Sequence, residues 1–452
     1  MGIISNVINR VKKSMVHTQR VAIPEFAEIL DGQAAQRKMW RDMYLNNAPW
    51  VKKNINSLNL AAVIAAEVSR LVTLEIKSTV DDAGMDAIYQ REVMRDLREK
   101  IEYGLALGGL VMKPYVLNGI IRVDFAQPSD FQIVNAANDG TILEIFFKDF
   151  VEYRKAYYIR LEYHKFDEVT GRYLITNRFY RSDEKGYVGS EIEDYSFIDR
   201  WAQMEREFEL VNIKAPLFGY FRPAISNNID TKSVQGVSIY SRAVGAIQRA
   251  DEGLAGMLRE FRVKEAKQYV SELAVKGTGP LPYLEDDYYI RIRTDGKNGE
   301  TFFQSYSPDI NVGKYLDALN EYKREIEDCI GLAHGTISDP ENMVKTATEL
   351  KMSKQRTYVL VTENQKNLQD CFKSVVYAMG VWLKYPGQPP EYVVTTDFDD
   401  SMITDWEEEV KGMLNDVAAG LIRPEIYLSK KYGVTEEEAL KMIPDSVALG
   451  VV

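Results

Sequence analysis

The sequence predicts a multi-domain α+β protein in which helices and antiparallel strands occupy separate stretches of the chain. Its 452 residues exceed what one compact core usually holds, so about two to four domains are expected. Strand-like runs separated by turn signals fill residues 110–195, whereas helical periodicity dominates before and after them. Strands that follow one another without intervening helices favour an antiparallel sheet packed beside a helical layer.

Two helical regions precede the predicted sheet. Residues 25–75 and 87–107 carry apolar side chains at helical spacing. The second helix is expected to end at Gly108, because glycine readily adopts the left-handed conformation that terminates helices. Beyond it, Asn118 and Gly119 form the signal of a tight turn between two strands, since both tolerate positive φ angles. The chain should therefore pass from helices into a hairpin.

The pattern of residues 236–331 predicts a helix, a short β segment and a returning helix. Ser238 is expected to cap the first helix and Asp309 the second, because both side chains can accept hydrogen bonds from the first backbone N–H groups of a helix. Between the helices, residues 264–308 contain three strand-like runs separated by glycine-containing turns. This order indicates two helices joined by a small β insert.

Small residues cover much of the first of these helices, and Asp251 interrupts its apolar stripe. Each glycine costs a helix about 1 kcal/mol relative to alanine, so its repeated use requires an explanation. Close packing against a neighbour is the expected one. The positions predicted to provide it are Gly245, Gly253 and Gly256.

A polar loop and a long helix follow the helix pair. Residues 334–345 are polar and contain glycine and proline, and helical periodicity then runs from about Thr346 to Lys384. A β-branched run predicts a kink or local unwinding near residues 358–362.

The C-terminal segment combines short helices with an acidic bias. After a short strand, residues 402–420 and 424–431 are predicted helices, and Thr435 with Glu438 forms a capping box that opens a last one. Residues 397–452 contain 13 acidic and 5 basic residues, a net charge of −8.

The overall charge argues against tight binding of nucleic acid. The chain has a formal net charge of −11, although residues 1–20 are basic. Proteins that bind nucleic acid tightly usually have a basic surplus, because phosphate contacts supply most of the affinity. Any contact with DNA should therefore be loose.

Other bulk features exclude several classes of protein. The two cysteines, Cys329 and Cys371, favour a reducing compartment, and three scattered histidines give no metal-ligand spacing. No apolar run is long enough to span a membrane. The basic N-terminal segment lacks the apolar centre and cleavage site of a signal peptide, so a packing arm or free terminus is expected instead. No cofactor is predicted.

Residues 104–113 superficially resemble a phosphate-binding loop. The nucleotide-binding pattern requires glycine, four further residues and then Gly-Lys followed by Ser or Thr. Here Lys113 is followed by Pro114, so a structural turn is predicted. No other catalytic motif is present in the sequence, and no catalytic residue is predicted.

Three clusters of polar residues have both a functional and a structural interpretation. Asn342, Lys345 and Thr346 stand at a loop–helix junction, where they either contact phosphates or form a solvated loop. Arg291 and Arg293 alternate on a strand, where they either dock a partner or keep an edge strand soluble. The third cluster could hold Mg²⁺ as in a nuclease, or mark a polar strand end and a helix N-terminus; it comprises Asp397, Asp399, Asp400 and Asp405.

The order of several sequence stretches resembles portal proteins of tailed bacteriophages, of the type found in siphophages of Gram-positive bacteria. Together these stretches cover most of the chain, although none encodes a reaction. The matching segments are residues 100–115, 217–230, 235–243, 259–263, 346–358 and 397–405.

The resemblance implies a domain for each part of the chain. Residues 1–235 would form an N-terminal arm and an α+β wing. Two stem helices would flank a β-rich clip, and a tunnel loop with a long kinked wing helix would precede a helical crown. The corresponding boundaries are 236–263 and 309–331 for the stem, 264–308 for the clip, 332–395 for the loop and long helix, and 396–452 for the crown.

The resemblance also implies a function without catalysis. Twelve subunits would form a ring at one capsid vertex, through which double-stranded DNA passes without sequence specificity. The expected partners are the large terminase subunit, head-completion or adaptor proteins, and the major capsid and scaffolding proteins, with no membrane. The ring would assemble in the host cytoplasm, and the protein would then be part of the virion, at the portal vertex of the capsid. Asn342, Lys345 and Thr346 would face the tunnel, and Arg291 and Arg293 would dock partners at the clip.

Three alternatives stay open on the sequence alone. The chain could form another head or tail connector ring that does not translocate DNA. It could be a metal-dependent nuclease that uses the acidic cluster at residues 397–405. It could also be a cytosolic scaffold that binds a helical partner.

Overall fold

A computed structural model gives the fold of the chain. It divides into two compact units, Met1–Val72 with Thr79–Thr395 and Thr73–Ser78 with Thr396–Val452. The residues that the structure describes are 33–51, 55, 57–74, 76–117, 119–184, 189–264, 267–271, 289–292, 303–306, 309, 311–339, 347–387, 390–398, 406–432 and 434–443.

Helices lead into the sheets of the first unit, as the sequence predicts. A single helix over residues 87–107 is wrong in detail, because a π-helical turn at Gln90–Met94 interrupts it. The predicted end at Gly108 is confirmed, and this residue has a φ of 92°. The elements are α1 (Ala34–Tyr44), α2 (Leu60–Val72), β1 (Lys77–Val80), α3 (Ala83–Tyr89) and α4 (Leu97–Leu107).

Nine strands follow in two sheets, which confirms the antiparallel sheet region and the α+β class. The predicted hairpin joins β2 to β3, and Gly119 in its turn has a φ of 75°. The strand orders are β10-β2-β3 and β4-β5-β6-β7-β8, with β9 also paired to β7. The strands are β2 (Leu110–Leu117), β3 (Ile120–Ala126), β4 (Phe131–Ala136), β5 (Ile142–Tyr153), β6 (Ala156–Asp167), β7 (Arg172–Ser182), β8 (Ser190–Glu191), β9 (Glu207–Leu210) and β10 (Gly219–Phe221).

A helix pair with a β insert then forms in the predicted order. The insert is a three-stranded sheet of order β12-β11-β13, in which β11 runs parallel to β12 and antiparallel to β13. A long helix follows the pair. The elements are α5 (Val244–Val263), β11 (Lys267–Ser271), β12 (Tyr289–Ile292), β13 (Phe303–Tyr306), α6 (Val312–Ile330) and α7 (Ala347–Lys384).

Both predicted caps of the helix pair are wrong. Ser238 is buried, and its hydroxyl accepts a hydrogen bond from Tyr240 N in a local turn, so α5 begins only after Ala243. Asn311, not Asp309, precedes α6. The carbonyl of Asp309 instead accepts a hydrogen bond from Lys264 Nζ at 3.0 Å, which ties the end of α5 to the start of α6.

The long helix α7 is α-helical along all 38 residues. Local unwinding near residues 358–362 is therefore wrong, whereas a bend there stays a prediction. The second half of α7 packs on the six-stranded sheet, where Ala378 and Val381 share a buried cluster with Leu217. Within the β-branched run, Leu360 and Val361 are also buried, and this packing outweighs the low helix propensity of β-branched residues.

The second unit is small and mainly helical. Ser78 and Thr396 place their hydroxyl oxygens 2.9 Å apart where β1 pairs with β14 (Val394–Asp397). Thr435 accepts a hydrogen bond from Glu438 N and the Glu438 carboxylate accepts one from Thr435 N, which confirms the capping box. The helices are α8 (Trp406–Ala418), α9 (Pro424–Tyr432) and α10 (Glu436–Lys441).

A charged network lies inside the first unit, centred on Glu162 of β6. Its carboxylate pairs with Lys113 of β2 and lies 2.8 Å from Arg160 Nη2 and 2.8 Å from His164 Nε2. Burial alone would raise the pKa of this carboxyl, but these neighbours lower it well below its usual value. Burial lowers the pKa of His164, whose Nδ1 lies 2.8 Å from the Tyr173 hydroxyl. Glu162 is therefore ionised in the fold, and His164 is neutral.

We expect acid to destabilise the first unit through these two groups. Both have a folded pKa below the unfolded value, so the unfolded chain binds more protons as the pH falls. The contribution of His164 is lost below about pH 6.5, and that of Glu162 below about pH 4.3. Melting temperatures measured from pH 7.5 to 5.0 should fall, and the fall should be shallower in His164→Asn. If the melting temperatures of the wild type and of His164→Asn fell equally with pH, His164 would not contribute to the acid sensitivity of the first unit.

Candidate helix pair and channel loop

The chain enters α5 through a tight contact with the end of α4. A Cβ added to Gly108 would lie 2.9 Å from Gly236 O and from Val237 Cα, which no side chain tolerates. Ile239 N donates a hydrogen bond to Leu105 O at 2.9 Å in the same contact. Two of the stretches noted in the sequence, around residues 104–109 and 235–239, thus form one joint. Glycine is required at position 108 because the backbones of the two segments approach each other too closely for a side chain.

The phosphate-loop interpretation of residues 104–113 is excluded by the same geometry. Lys113 lies in the middle of β2 with 4% of its surface exposed, and its ammonium group pairs with Glu162. It also lies 4.4 Å from the centroid of the Phe147 ring. A lysine held in this way cannot contact a phosphate in solvent, so the structural turn is confirmed.

Asp251 attaches α5 to the preceding part of the chain. The residue is fully buried, and its two carboxylate oxygens accept hydrogen bonds from Trp50 Nε1 at 2.9 Å and Leu58 N at 2.8 Å. Its position within an apolar stripe was a signal in the sequence, because a buried carboxylate requires partners. The partners themselves are 193 and 201 residues distant in the chain.

Two of the three candidate glycines accommodate tyrosines of α6. A Cβ added to Gly253 would lie 3.5 Å from the Tyr322 ring, and one added to Gly256 would lie 3.7 Å from Tyr315. Their neighbour is therefore the returning helix of the same chain. A Cβ at Gly245 would approach only the Arg249 side chain, at 3.6 Å. Whether any of the three also contacts another subunit stays a prediction.

Substitution of Gly253 should depend strongly on side-chain size. Alanine fits, because its Cβ would make ordinary van der Waals contact with Tyr322, and it should stabilise α5 by up to about 1 kcal/mol. Leucine would displace Tyr322, separate α5 from α6, and disrupt assembly. Circular dichroism melting and native mass spectrometry of the two variants test this. A Gly253→Leu protein that melts and assembles like Gly253→Ala would contradict it.

Polar contacts hold the two helices together at both ends. Arg249 of α5 pairs with Glu325 of α6, and its guanidinium lies 5.9 Å from the centroid of the Tyr322 ring. Near the β insert, Lys264 Nζ lies 2.5 Å from Glu260 Oε1. The pKa of Glu260 is lowered mainly by its hydrogen bonds with Lys264 and Tyr315, the latter from α6. The helices α5 and α6 are therefore joined by side-chain contacts near both ends.

The turn after α6 is built around the carboxylate of Glu327. This residue is fully buried, and Oε1 accepts hydrogen bonds from Ile337 N at 2.6 Å and Ser338 N at 2.9 Å. Oε2 accepts from Ser338 Oγ at 2.7 Å and from Gly335 N at 3.3 Å. One side chain thus satisfies four donors and fixes residues 335–338 against the end of the helix.

Further contacts join the same turn to both flanking helices. Ala333 N donates to Thr357 Oγ1 of α7 at 2.7 Å, and Asp339 N donates to Asn320 Oδ1 of α6 at 2.7 Å. The second contact lies about two helical turns before Glu327. The backbone therefore runs back along α6 from residue 335 to residue 339. The described part of the 334–345 loop is firmly anchored.

Asp328 forms a small surface cluster beside this turn. Its carboxylate oxygen lies 2.7 Å from Arg356 Nη1 of α7 and 3.2 Å from His334 Nε2. Burial opposes ionisation, but the hydrogen bond from Arg356 and the contact with His334 lower the pKa of Asp328 overall. The cluster gives a second connection between the ends of α6 and α7.

An open groove of about 690 Å³ lies on the other side of this cluster. Its apolar lining includes Ile330 and Leu360, which are almost fully buried, and Val359, which is 47% exposed. His334 and Arg356 lie at its polar edge. The groove places an exposed apolar surface next to the anchored turn.

A comparison with protein-family models identifies the family of this chain. Residues 26–445 match the family model described as "Phage portal protein, SPP1 Gp6-like". The chain belongs to this phage portal family. No curated protein matches the chain. The resemblance inferred from the sequence is therefore confirmed over nearly the whole length of this portal protein.

Membership of this family shows that the protein is a structural component of the bacteriophage virion. Portal proteins are capsid components of the DNA-packaging apparatus and are in general not enzymes. Within the described residues, no helix has the length and hydropathy required to cross a membrane. The same part of the chain contains no group of three His, Cys, Asp or Glu residues arranged to hold a metal ion.

The structure places only some of the candidate site residues of the portal protein. Arg291 lies on β12, paired in register with Val270 of β11, and β12 forms one edge of the described three-stranded sheet. Asp397 ends β14. The other candidates lie outside the described residues, namely Arg293, Asn342, Lys345, Thr346, Asp399, Asp400 and Asp405.

Sequence reasoning missed the residues that position the loop. Glu327 follows the apolar Ile326 and looks like one of many solvent-facing charges on an amphipathic helix. Nothing in its local pattern shows that the chain turns back over it. Asn320 gave no signal either, because its acceptor role depends on the path of residue 339.

Proposed function

We propose that this portal protein forms a closed ring at a capsid vertex and that the ring guides double-stranded DNA during packaging and ejection. The observation that carries the proposal is the turn at residues 335–339, which Glu327 and Asn320 fix at the end of a long helix pair. A segment that must stay in place while DNA moves past requires such an anchor. Identical subunits close into a ring when their head-to-tail interfaces accumulate a full rotation.

In this proposal each part of the portal protein has a separate task. The helices α5 and α6 form the stem, β11 to β13 form the clip, and residues 334–346 form the tunnel loop. The sheets and α7 form the wing, and the C-terminal unit forms the crown. The ring contains twelve subunits and assembles in the host cytoplasm. The wing contacts the major capsid and scaffolding proteins.

The charge of the chain supports guidance rather than binding of DNA. A net charge of −11 provides no excess of cations, so counterion release would not hold the duplex. Asn342, Lys345 and Thr346 would touch passing DNA as isolated polar groups. Arg291 and Arg293 would dock the large terminase subunit, which supplies ATP hydrolysis, and later the head-completion proteins.

The ring itself is tested by imaging the purified full-length protein. Negative-stain or cryogenic electron microscopy should show closed rings with a central channel wide enough for duplex DNA. Native mass spectrometry should give the mass of twelve chains. Rings without such a channel would favour a connector that does not translocate DNA, and a monomer at all concentrations would contradict ring formation.

The tunnel loop is tested by deleting residues 340–345. The deletion leaves the Glu327-anchored turn intact, so rings should form as in the wild type. DNA filling in an in vitro packaging assay should fall severely, because the proposed contact with DNA is lost. A matched control replaces the same residues with a glycine-serine segment of equal length. Normal filling by the deletion variant would contradict a tunnel role.

A further inference from the structure

A basic pocket of about 240 Å³ lies between α1 and β5 of the first unit. Arg37, Lys38 and Arg41 reach it from α1, and Lys148 reaches it from β5. The rest of the lining is formed by apolar side chains together with Ser129 and Gln132. Four cations around one concavity are unexpected in a chain with a net charge of −11.

For Lys38, Arg41 and Lys148, the described residues provide little compensating charge. The Arg37 guanidinium donates a hydrogen bond to Gln235 Oε1 at 2.7 Å, which is a neutral acceptor. Among the described residues, Lys38, Arg41 and Lys148 have no side-chain ion pair. Asp130 is the acid whose field reaches Arg41 and Lys148. Lys38, Arg41 and Lys148 therefore give the described part of the pocket a net positive charge.

The electrostatic effect of this crowding is visible in two of the cations. Burial lowers the pKa of Arg37, and burial together with the Arg37 charge lowers the pKa of Lys148. The fold thus holds two partly desolvated cations, and the charge of Arg37 disfavours that of Lys148. A bound anion would offset this repulsion, and it would gain charge-assisted hydrogen bonds in a partly dry site.

We propose that this pocket binds a phosphate group, held by Arg37, Arg41 and Lys148 with Ser129 at its edge. A terminal phosphate fits the site better than a carboxylate, because it carries close to two negative charges and presents three strong acceptor oxygens. A backbone phosphodiester carries a single charge, but its two free oxygens can accept from more than one of these donors. Arginine is suited to such a ligand, since its planar guanidinium can donate two parallel hydrogen bonds. The phosphate belongs either to a nucleic-acid backbone or to a free phosphate compound.

The pocket is independent of the proposed tunnel role. It lies on α1 and β5, whereas the tunnel loop follows α6, and the two share no residue. Loss of phosphate binding would therefore leave ring formation and the loop-deletion result unchanged. Failure of the ring or packaging experiments would in turn not affect binding measured on the isolated protein.

The test is isothermal titration of the full-length protein with pyrophosphate, against sodium chloride at equal ionic strength. Wild type should bind, and the double variant Arg41→Gln/Lys148→Gln should lose affinity by at least about tenfold, because two charged donors are removed. The control Arg95→Gln/Lys373→Gln removes the same charge from two exposed side chains outside the pocket. It should bind as the wild type does.

The outcomes separate the sources of the phosphate. If duplex DNA binds to the wild type, is displaced by pyrophosphate, and no longer binds to the Arg41→Gln/Lys148→Gln variant, the phosphate belongs to a nucleic-acid backbone. Pyrophosphate binding without pocket-dependent duplex binding identifies a free phosphate compound, and both results support the site. No binding beyond the chloride control overturns the proposal. Equal weakening in the pocket and control variants overturns it as well, because net charge alone would then explain the effect.

Discussion

Replacing Glu162 with glutamine is expected to lower the free energy of unfolding of the first unit by about 3–5 kcal/mol, the usual effect of breaking a buried ion pair. The carboxylate contacts Lys113, Arg160 and His164 inside the sheet. Glutamine has nearly the same shape but no charge. It would leave the buried Lys113 ammonium without a carboxylate partner and Arg160 with only its 3.8 Å carboxylate contact to Asp149, and burial makes the loss at Lys113 costly.

Denaturant unfolding followed by tryptophan fluorescence measures this effect, since Trp201 is fully buried in the same unit. The control is Glu207→Gln, which removes an exposed pair with Arg178 at 3.3 Å. That change should cost about 0–1 kcal/mol, as exposed ion pairs do. Comparable losses in the two variants would show that the network contributes no more than a surface contact.

Replacing Glu327 with glutamine is expected to release the turn at residues 335–338 while the helix pair stays folded. One carboxylate oxygen becomes an NH2 group, so two of the four hydrogen bonds from Gly335, Ile337 and Ser338 lose their acceptor. Hydrogen bonds to a charged group contribute about 1.5–3 kcal/mol each. The turn should therefore open at least about a hundredfold more often.

Hydrogen exchange followed by mass spectrometry measures this opening in the peptide that contains residues 335–339. Glu325→Gln is the matched control, because it lies two residues earlier on α6 and its pair with Arg249 is about half exposed. The control should leave exchange in the turn unchanged. If Glu327→Gln exchanges at the wild-type rate, the buried carboxylate does not position the loop.

These two residues show the limit of local sequence patterns. Glu162 lies on a strand next to charged neighbours of ordinary appearance, and Glu327 lies on an amphipathic helix. In both cases the partners are supplied by segments whose position depends on the fold. Lys113 is 49 residues away from Glu162 in the chain, and periodicity carries no information about such a pairing.

The errors at the helix starts have a similar cause. Ser238 has the side chain of a good N-cap, but the joint with α4 uses the backbone of residue 239 and delays the start of α5. Asp309 was the expected cap of α6, yet its carbonyl is bound by Lys264. Capping preferences are worth about 1 kcal/mol, so tertiary contacts of similar size can override them.

The α+β class, the order of the elements and the family could be predicted from the sequence. The class and the order follow from signals of short range, namely the periods of helix and strand, the glycines at positions 108 and 119, and the capping box at Thr435. The family follows from the order of the stretches that resemble portal proteins. The tertiary structure decided which glycines face α6, how Asp251 and Glu327 are compensated, and that four cations meet in one pocket. These features depend on contacts between segments that are distant in the chain. A local sequence pattern carries no information about the energies of such contacts.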